Sequence, residues 1–266
     1  MEPFQLGSDG LLRLVAWEKR WPALSAGFTT RATGNMAFLD GSDPHAVVLR
    51  RETLAHVLGF SFSGFTFAQQ IHGTRVQVVD GRQRGAGGGD YRTALPGSDG
   101  LSTGLAETVL LLYYADCVPM YFYGPEKDVV ALAHAGWRGT TGNMAARMIE
   151  HYAHVWGIGP KAVWVAIGPS IGACCYEVDD PVIQAVRKVL PDEWQAVCRP
   201  KEGRWLLDLK ELNRRLLMAA GVPQDHICTS RYCTACRQDL FFSYRKEGTK
   251  AGRMLAWIGR KEGEGR

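Results

Sequence analysis

Seven histidines and seven cysteines are the strongest metal donors in this chain. Three of these fourteen stand where loops meet strand-like runs: His72 in QQIHG, Cys117 in ADCVP and His134 in HAGWRG. Two imidazoles and one thiolate form a zinc-type donor set. Three protein donors leave the fourth tetrahedral position open, the pattern of a catalytic rather than a structural site. Zinc in such a position lowers the pKa of a water to ~7. Copper stands above zinc in the Irving–Williams order, so the same ligands would also accept Cu2+. If residues 124–127 form the turn of a hairpin, Cys117 and His134 are direct cross-strand partners, with Cβ atoms ~4.5–5.5 Å apart. Two other readings fit these residues: a small buried Cys117 beside a satisfied His134, or Cys117 as a nucleophile with His134 as its base.

A second feature is anion recognition. His134 is followed by Ala-Gly-Trp-Arg-Gly-Thr-Thr and a helix, so Arg138 and free backbone N–H groups could face an oxyanion beside the metal. The plainer alternative is a surface ion pair for Arg138, with Thr140 or Thr141 as an ordinary N-cap. Arg31 in FTTRATG and Arg245 in FFSYRKEG carry the same ambiguity. The remaining cysteines crowd toward the C-terminal half. Cys233 and Cys236 form a Cys-x-x-Cys that could join Cys198 and Cys228 in a four-cysteine zinc site, but a lone pair of this spacing is a weak signal, and packing is the reading adopted for Cys228, Cys233 and Cys236. Adjacent Cys174 and Cys175 read as one core residue and one pocket-lining residue. An odd cysteine count is no secreted disulfide framework, which points to free thiols and a cytoplasmic protein.

These residues need elements to position them. Asp43, Pro44 and Gly59 bracket a first helix. Residues 141–154 form a second at helical spacing, 181–190 a shorter one, and Asp208 with Glu211 caps another that closes at Gly221. Strands are expected over 65–69, 76–79, 108–115, 120–123, 129–133, 162–167, 226–229 and 254–258. Strands and helices are mixed without a repeating period, which implies one compact α+β domain over 1–266 with a mixed β-sheet flanked by helices. The glycine-rich 85–89 reads as a flexible loop and GRKEGEGR as a solvated tail.

Composition excludes several classes. At 46% hydrophobic and 22% charged, disorder, collagen and coiled coil are out. A net charge of +4, scattered along the chain, leaves no footprint for nucleic acid. The longest apolar run, 109–115, is far short of the ~20 residues that span a bilayer, so no membrane association is expected.

QQIHG, the Asp-Gly-Leu at Asp99, ADCVP, HAGWRGT, AIGPSIGACCYEV and FFSYRKEGTKAGRM come in an order and spacing that resemble the YfiH/YlmD family. This family consists of bacterial purine nucleoside phosphorylases first labelled multicopper polyphenol oxidases or laccase-domain proteins. The resemblance spans about 27–258. It implies a CNF/YfiH-like fold grouped with a cysteine hydrolase architecture, metal ligation by His72, Cys117 and His134, and pocket roles for Arg31, Asp99, Arg138, Cys175 and Arg245, with Arg31 counted among the catalytic residues. It further implies zinc-dependent phosphorolysis of adenosine, inosine and 5′-methylthioadenosine, adenosine deamination, and nucleosides and phosphate as partners of a monomer or homodimer. Two alternatives follow from the same resemblance: a copper-loaded polyphenol oxidase, and a cysteine hydrolase or amidase acting on peptidoglycan precursors. The segment after Arg31 is shorter than the family's usual stretch, and Cys233-x-x-Cys236 looks peculiar to this chain.

Overall fold

The longest strands of the computed structural model, which describes residues 1–263, are buried on both faces, and this dictates the architecture. In Thr108–Tyr114, Leu110, Leu112 and Tyr114 enter one core while Val109 and Leu111 enter another. Val118–Gly124 likewise sends Tyr121 and Tyr123 inward and Met120 and Phe122 to the opposite side. Strands with two apolar faces must lie between layers. Two six-stranded sheets therefore pack face to face, with helices covering both outer faces.

The first sheet runs in the order Gln5–Leu6, Leu12–Arg13, Leu24–Phe28, Met254–Arg260, Thr108–Tyr114, Phe65–Phe67. Helix Pro44–Leu58 covers its outer side with Val47, Leu54, Ala55 and Leu58 buried. The second runs Ile227–Thr229, Trp164–Ile167, Val118–Gly124, Val129–Ala135, Gly100–Thr103, Val76–Val78, parallel at each edge and antiparallel between. Helices Met144–Trp156, Asp180–Val189 and Leu209–Ala219 cover its outer face. A ribbon of Glu177–Val178, Arg204–Leu207 and Cys198–Lys201 completes the fold. No helix among the described residues is long and apolar enough to cross a membrane.

The domain is α+β with mixed sheets flanked by helices, as expected, but there are two large sheets rather than one. Alternation shows that a strand has two apolar faces and says nothing about which partner covers each. The helix expected over 141–154 is broken: Trp137–Thr141 is a separate short helix, and Asn143, at φ 61°, restarts the chain and accepts a hydrogen bond from the Ala146 N–H. Asn143 is therefore the N-cap, and neither Thr140 nor Thr141 is. The expected capping box at Asp208 is half made. Asp208 accepts from the Glu211 N–H, but the Glu211 carboxylate turns to Arg214 and Arg215. The expected tail lends Gly259 and Arg260 to the last strand, and 264–266 lie outside the described residues.

The glycine-rich 85–89 is no free loop. Arg51, fully buried on the first long helix, donates to the carbonyls of Met36, Gly87 and Gly88 and to the Tyr113 hydroxyl. Arg51→Met keeps the apolar stem and strands those carbonyls, so it should cost about 2–3 kcal/mol of stability. Urea unfolding checks this: a lower midpoint with an unchanged slope is expected.

Candidate metal centre and cavity

The central hairpin of the second sheet carries two of the three expected ligands. Val118 pairs with Ala135 and Gly124 with Val129, so the turn spans 125–128 and Pro119, not Cys117, stands opposite His134. The expected register is wrong by two residues. A slip of two preserves the face of every side chain, and Asp116, at φ 89°, bends the chain just before Cys117. His72 arrives on a loop beyond Phe65–Phe67 with its own backbone at φ 60°. One ring nitrogen of His72, one of His134 and the Cys117 sulfur all lie within 4.8 Å of one another.

Asp99 holds this geometry. Its carboxylate is fully buried and accepts hydrogen bonds from the backbone N–H groups of Ile71 (3.0 Å), His72 (3.0 Å) and Gly73 (2.8 Å). It also stands 2.9 Å from His134 Nδ1. One anion thus fixes the loop carrying the first histidine and the ring of the second, leaving His134 Nε2 for the metal side. Burial would raise the Asp99 carboxyl, but His134 and these N–H groups hold it below the usual range. Burial likewise opposes ionisation of Cys117, yet His134 and His72 bring that thiol down to about 6. Against its own burial, His134 is raised to about 9 by the Cys117 thiolate and Asp99. The pair is a thiolate beside an imidazolium, whose proton a cation would displace.

The donor set fits a metal, and the backbone leaves room for one. A Cβ on Gly136 would stand 2.9 Å from Cys117 Sγ and 3.2 Å from His72 Cδ2. Gly136 has φ −69° and ψ 179°, which any residue adopts, so the demand is purely steric. Gly136→Ala should weaken Zn2+ binding about tenfold, within the range seen when a metal site's surroundings are disturbed. Competition with a chelator measures it.

A cavity of about 750 Å3 opens over these residues, a size suited to a small ligand. Phe38, Tyr91, Tyr113, Trp137, Tyr176 and Tyr244 give it flat apolar walls, and besides the three ligands its polar groups are Gln70, Asp116, Arg138, Arg245 and Arg253. Arg138 is exposed, with its guanidinium 4.4 Å from the Trp137 ring centroid. The expected surface ion pair is absent among the described residues. Arg245 also lines the cavity, but its guanidinium donates to the carbonyls of Glu177 (2.9 Å) and Cys175 (3.4 Å).

Three expected pocket residues are placed elsewhere. Asp99 lies outside the cavity lining, with its carboxylate bonded to His134 and to the loop that carries His72. Cys175 is not in the cavity lining; its sulfur sits in a cluster with those of Cys174, Cys233 and Cys236. Arg31 also lies outside the lining. It pairs with Glu247 and donates to the Phe241 carbonyl, anchoring the segment that carries Tyr244 and Arg245. The four-cysteine set assembled from sequence also changes: Cys198 packs in the core under the second sheet's helices and Cys228 against the core between the sheets.

Two residues escaped the sequence reading. Arg253 lines the cavity, and its signal was present in the AGRM string. Asp116 accepts from Thr234 Oγ1, Ser243 Oγ and the Arg245 N–H, and its carbonyl accepts from the Ile171 N–H. It therefore ties three segments to the residue preceding Cys117. Its position inside ADCVP was the available signal.

Two histidines and a cysteine over a buried carboxylate, opening into an aromatic-walled cavity, define an enzyme domain with a candidate metal centre. Residues 16–261 match the sequence model of the multi-copper polyphenol oxidoreductase laccase family. The chain belongs to that family. It is 45% identical over 269 residues to the purine nucleoside phosphorylase YlmD of Geobacillus stearothermophilus, covering 97% of each chain. To the adenosine deaminase RL5, from an unknown prokaryotic organism, it is 37% identical over 228 residues, covering 85% of this chain and 87% of that one. The crystal structure of YlmD from Geobacillus stearothermophilus superposes with a TM-score of 0.94 at 43% identity, covering 98% of this chain and 100% of that one.

Proposed function

We propose that this protein is a zinc-dependent purine nucleoside phosphorylase that also deaminates adenosine, and that it works in the cytoplasm on free nucleosides and phosphate. The observation that carries the reading is Arg138, a cation without a carboxylate partner among the described residues, lining an aromatic cavity together with His72, Cys117 and His134. The relatives named phosphorylase and deaminase support the substrate class, and seven free cysteines suit a reducing compartment.

His72, Cys117 and His134 would hold the ion, with Asp99 orienting both histidines. Zinc in a two-nitrogen, one-sulfur set supplies Lewis acidity at an open coordination position. The aromatic walls receive the planar purine in stacked or edge contacts. The Arg138 guanidinium offers phosphate two parallel N–H donors and holds it for attack at the ribose C1′. The expected help from a long helix N-terminus is missing, because Trp137–Thr141 spans five residues. Arg138 is therefore the principal anion contact. Adenosine and phosphate would yield adenine and ribose 1-phosphate, whereas deamination at C6 requires water and no phosphate. Chromatography of products with and without phosphate tests the reading. Phosphate-dependent adenine supports it, and an inert zinc-loaded protein across a nucleoside panel sinks it.

One observation favours a second reading. Asp99, His134 and Cys117 stand in the order orienter, base and nucleophile, as a metal-free cysteine hydrolase or amidase would require. A laccase receives no such support. A type 1 copper and a trinuclear centre need more histidines than the two that share a donor cluster among the described residues. His151 stands 2.7 Å from Ser102 Oγ and His226 stacks on Trp164, both away from the cavity.

A further inference from the structure

Two turns remote in sequence meet beside the cavity wall, each bringing two thiols. In the first, the Gly172 carbonyl accepts from the N–H groups of both Cys175 and Tyr176, which coils the chain so that neighbouring Cys174 and Cys175 direct their sulfurs to one side. In the second, the Cys233 carbonyl accepts from Cys236 and Arg237. A bridge between Ser170 and Cys233 joins the turns, with the Thr234 N–H donating to the Ser170 carbonyl and the Gly172 N–H to Cys233 Sγ at 3.2 Å.

The four sulfurs all lie within 4.8 Å of one another, and Cys236 Sγ is 3.5 Å from Cys174 Sγ and 3.4 Å from Cys175 Sγ. Zn–S bonds of about 2.3 Å at tetrahedral angles require sulfurs about 3.8 Å apart. A disulfide requires about 2.05 Å. The separations of 3.4 and 3.5 Å fall a few tenths of an ångström short of the first value and far exceed the second. Gly172 also leaves space, since a Cβ there would stand 3.3 Å from Cys174 Sγ and 3.2 Å from Cys233 Cβ. Cys174 and Cys175, expected as one core residue and one pocket-lining residue, instead both bring their sulfurs to this cluster.

We propose that Cys174, Cys175, Cys233 and Cys236 hold one Zn2+ in a tetrathiolate site distinct from His72, Cys117 and His134. Four protein donors leave no open position, so the ion is structural. It clips the 172–177 turn to the segment bearing Thr234, and these carry the cavity-wall residue Tyr176 and the hydroxyl that bonds Asp116 beside Cys117. The electrostatics agree with the geometry. Burial and the neighbouring thiols push Cys175 up to about 11 and Cys174 higher still. Cys233 is held low against its burial by the N–H groups of Gly172 and Cys236.

The test uses the full chain purified under reducing conditions, in wild type, Cys117→Ser and Cys174→Ser/Cys236→Ser forms. Cys174 and Cys236 are exposed, so serine disturbs no core packing. The double variant should carry one zinc equivalent less than wild type, and Cys117→Ser should keep the tetrathiolate zinc. Cobalt-loaded Cys117→Ser should show intense thiolate-to-cobalt charge transfer, which adding Cys174→Ser/Cys236→Ser to that variant should abolish, because the double variant alone keeps the weaker band of the Cys117 site. Should the double variant fail to fold, alkylation of native wild type decides: the four thiols should be protected until a chelator is added. Equal zinc in wild type and a folded double variant, absence of charge transfer in cobalt-loaded Cys117→Ser, four freely alkylated thiols, or an intact mass showing a Cys236 disulfide would each overturn the proposal.

Discussion

Cys117→Ser should purify one metal equivalent short of wild type, with adenosine turnover reduced more than about 100-fold, beyond the 10–100-fold typical of losing a group behind a ligand. The thiolate brings the only formal negative charge among the three donors, and the carboxylates beside them are already committed, Asp99 to His134 and three backbone N–H groups and Asp116 to Thr234, Ser243 and the Arg245 N–H. A serine hydroxyl stays protonated near neutral pH, which leaves two neutral imidazoles too weak to retain the ion. His72→Ala should be comparably severe, and this comparison separates the two readings of the site. A metal-free cysteine nucleophile would need His134 and Asp99 and could dispense with His72. Full zinc occupancy in Cys117→Ser, or near-normal turnover in folded His72→Ala, would remove the metal assignment.

What was legible in the sequence followed from how local each signal is. His72, Cys117 and His134 could be grouped by residue type and loop position. The grouping survived a hairpin register wrong by two residues because strand side chains alternate with period two. Asp99 was visible as part of a motif, but its work passes through backbone N–H groups at 71–73, which have no side-chain signature. The pairing of Cys174 and Cys175 with Cys233 and Cys236 depends on the isolated bridge at Ser170, 63 residues from Cys233 along the chain. No spacing rule reaches that far. Arg51 escaped for a related reason, since a lone arginine on a helix reads as solvated until the carbonyls of 36, 87 and 88 close around it. The caps at Asp43 and Gly59, whose determinants lie within one turn, were read to the residue.

Arg138→Ala should reduce phosphorolysis of adenosine by about 10²–10³-fold, the usual consequence of removing one donor that faces charge developing in the transition state, while sparing most of the deamination. On the proposed function the two reactions would share the aromatic walls and the metal ligands and differ in the nucleophile. Phosphate is an anion that must be brought to C1′ and kept in line. Arg138 is suited to this because no carboxylate competes for it and its stacking on Trp137 limits how far the guanidinium swings. Arg245 cannot substitute fully, since its Nη1 is tied to the carbonyls of Glu177 and Cys175, which fixes where the guanidinium stands. Water at C6 carries no charge to be held, so its attack loses little when the guanidinium goes. The loss should appear in the dependence on phosphate as well as in the rate, because a contact made before and during attack contributes to both. Arg138→Lys should recover part of the phosphorolysis, as a point charge keeps the attraction without the bidentate geometry. Product analysis on a folded, metal-loaded variant decides between roles. Equal loss of both activities would mean that Arg138 braces the cavity through Trp137, and selective loss of adenine formation would mean that it carries the phosphate.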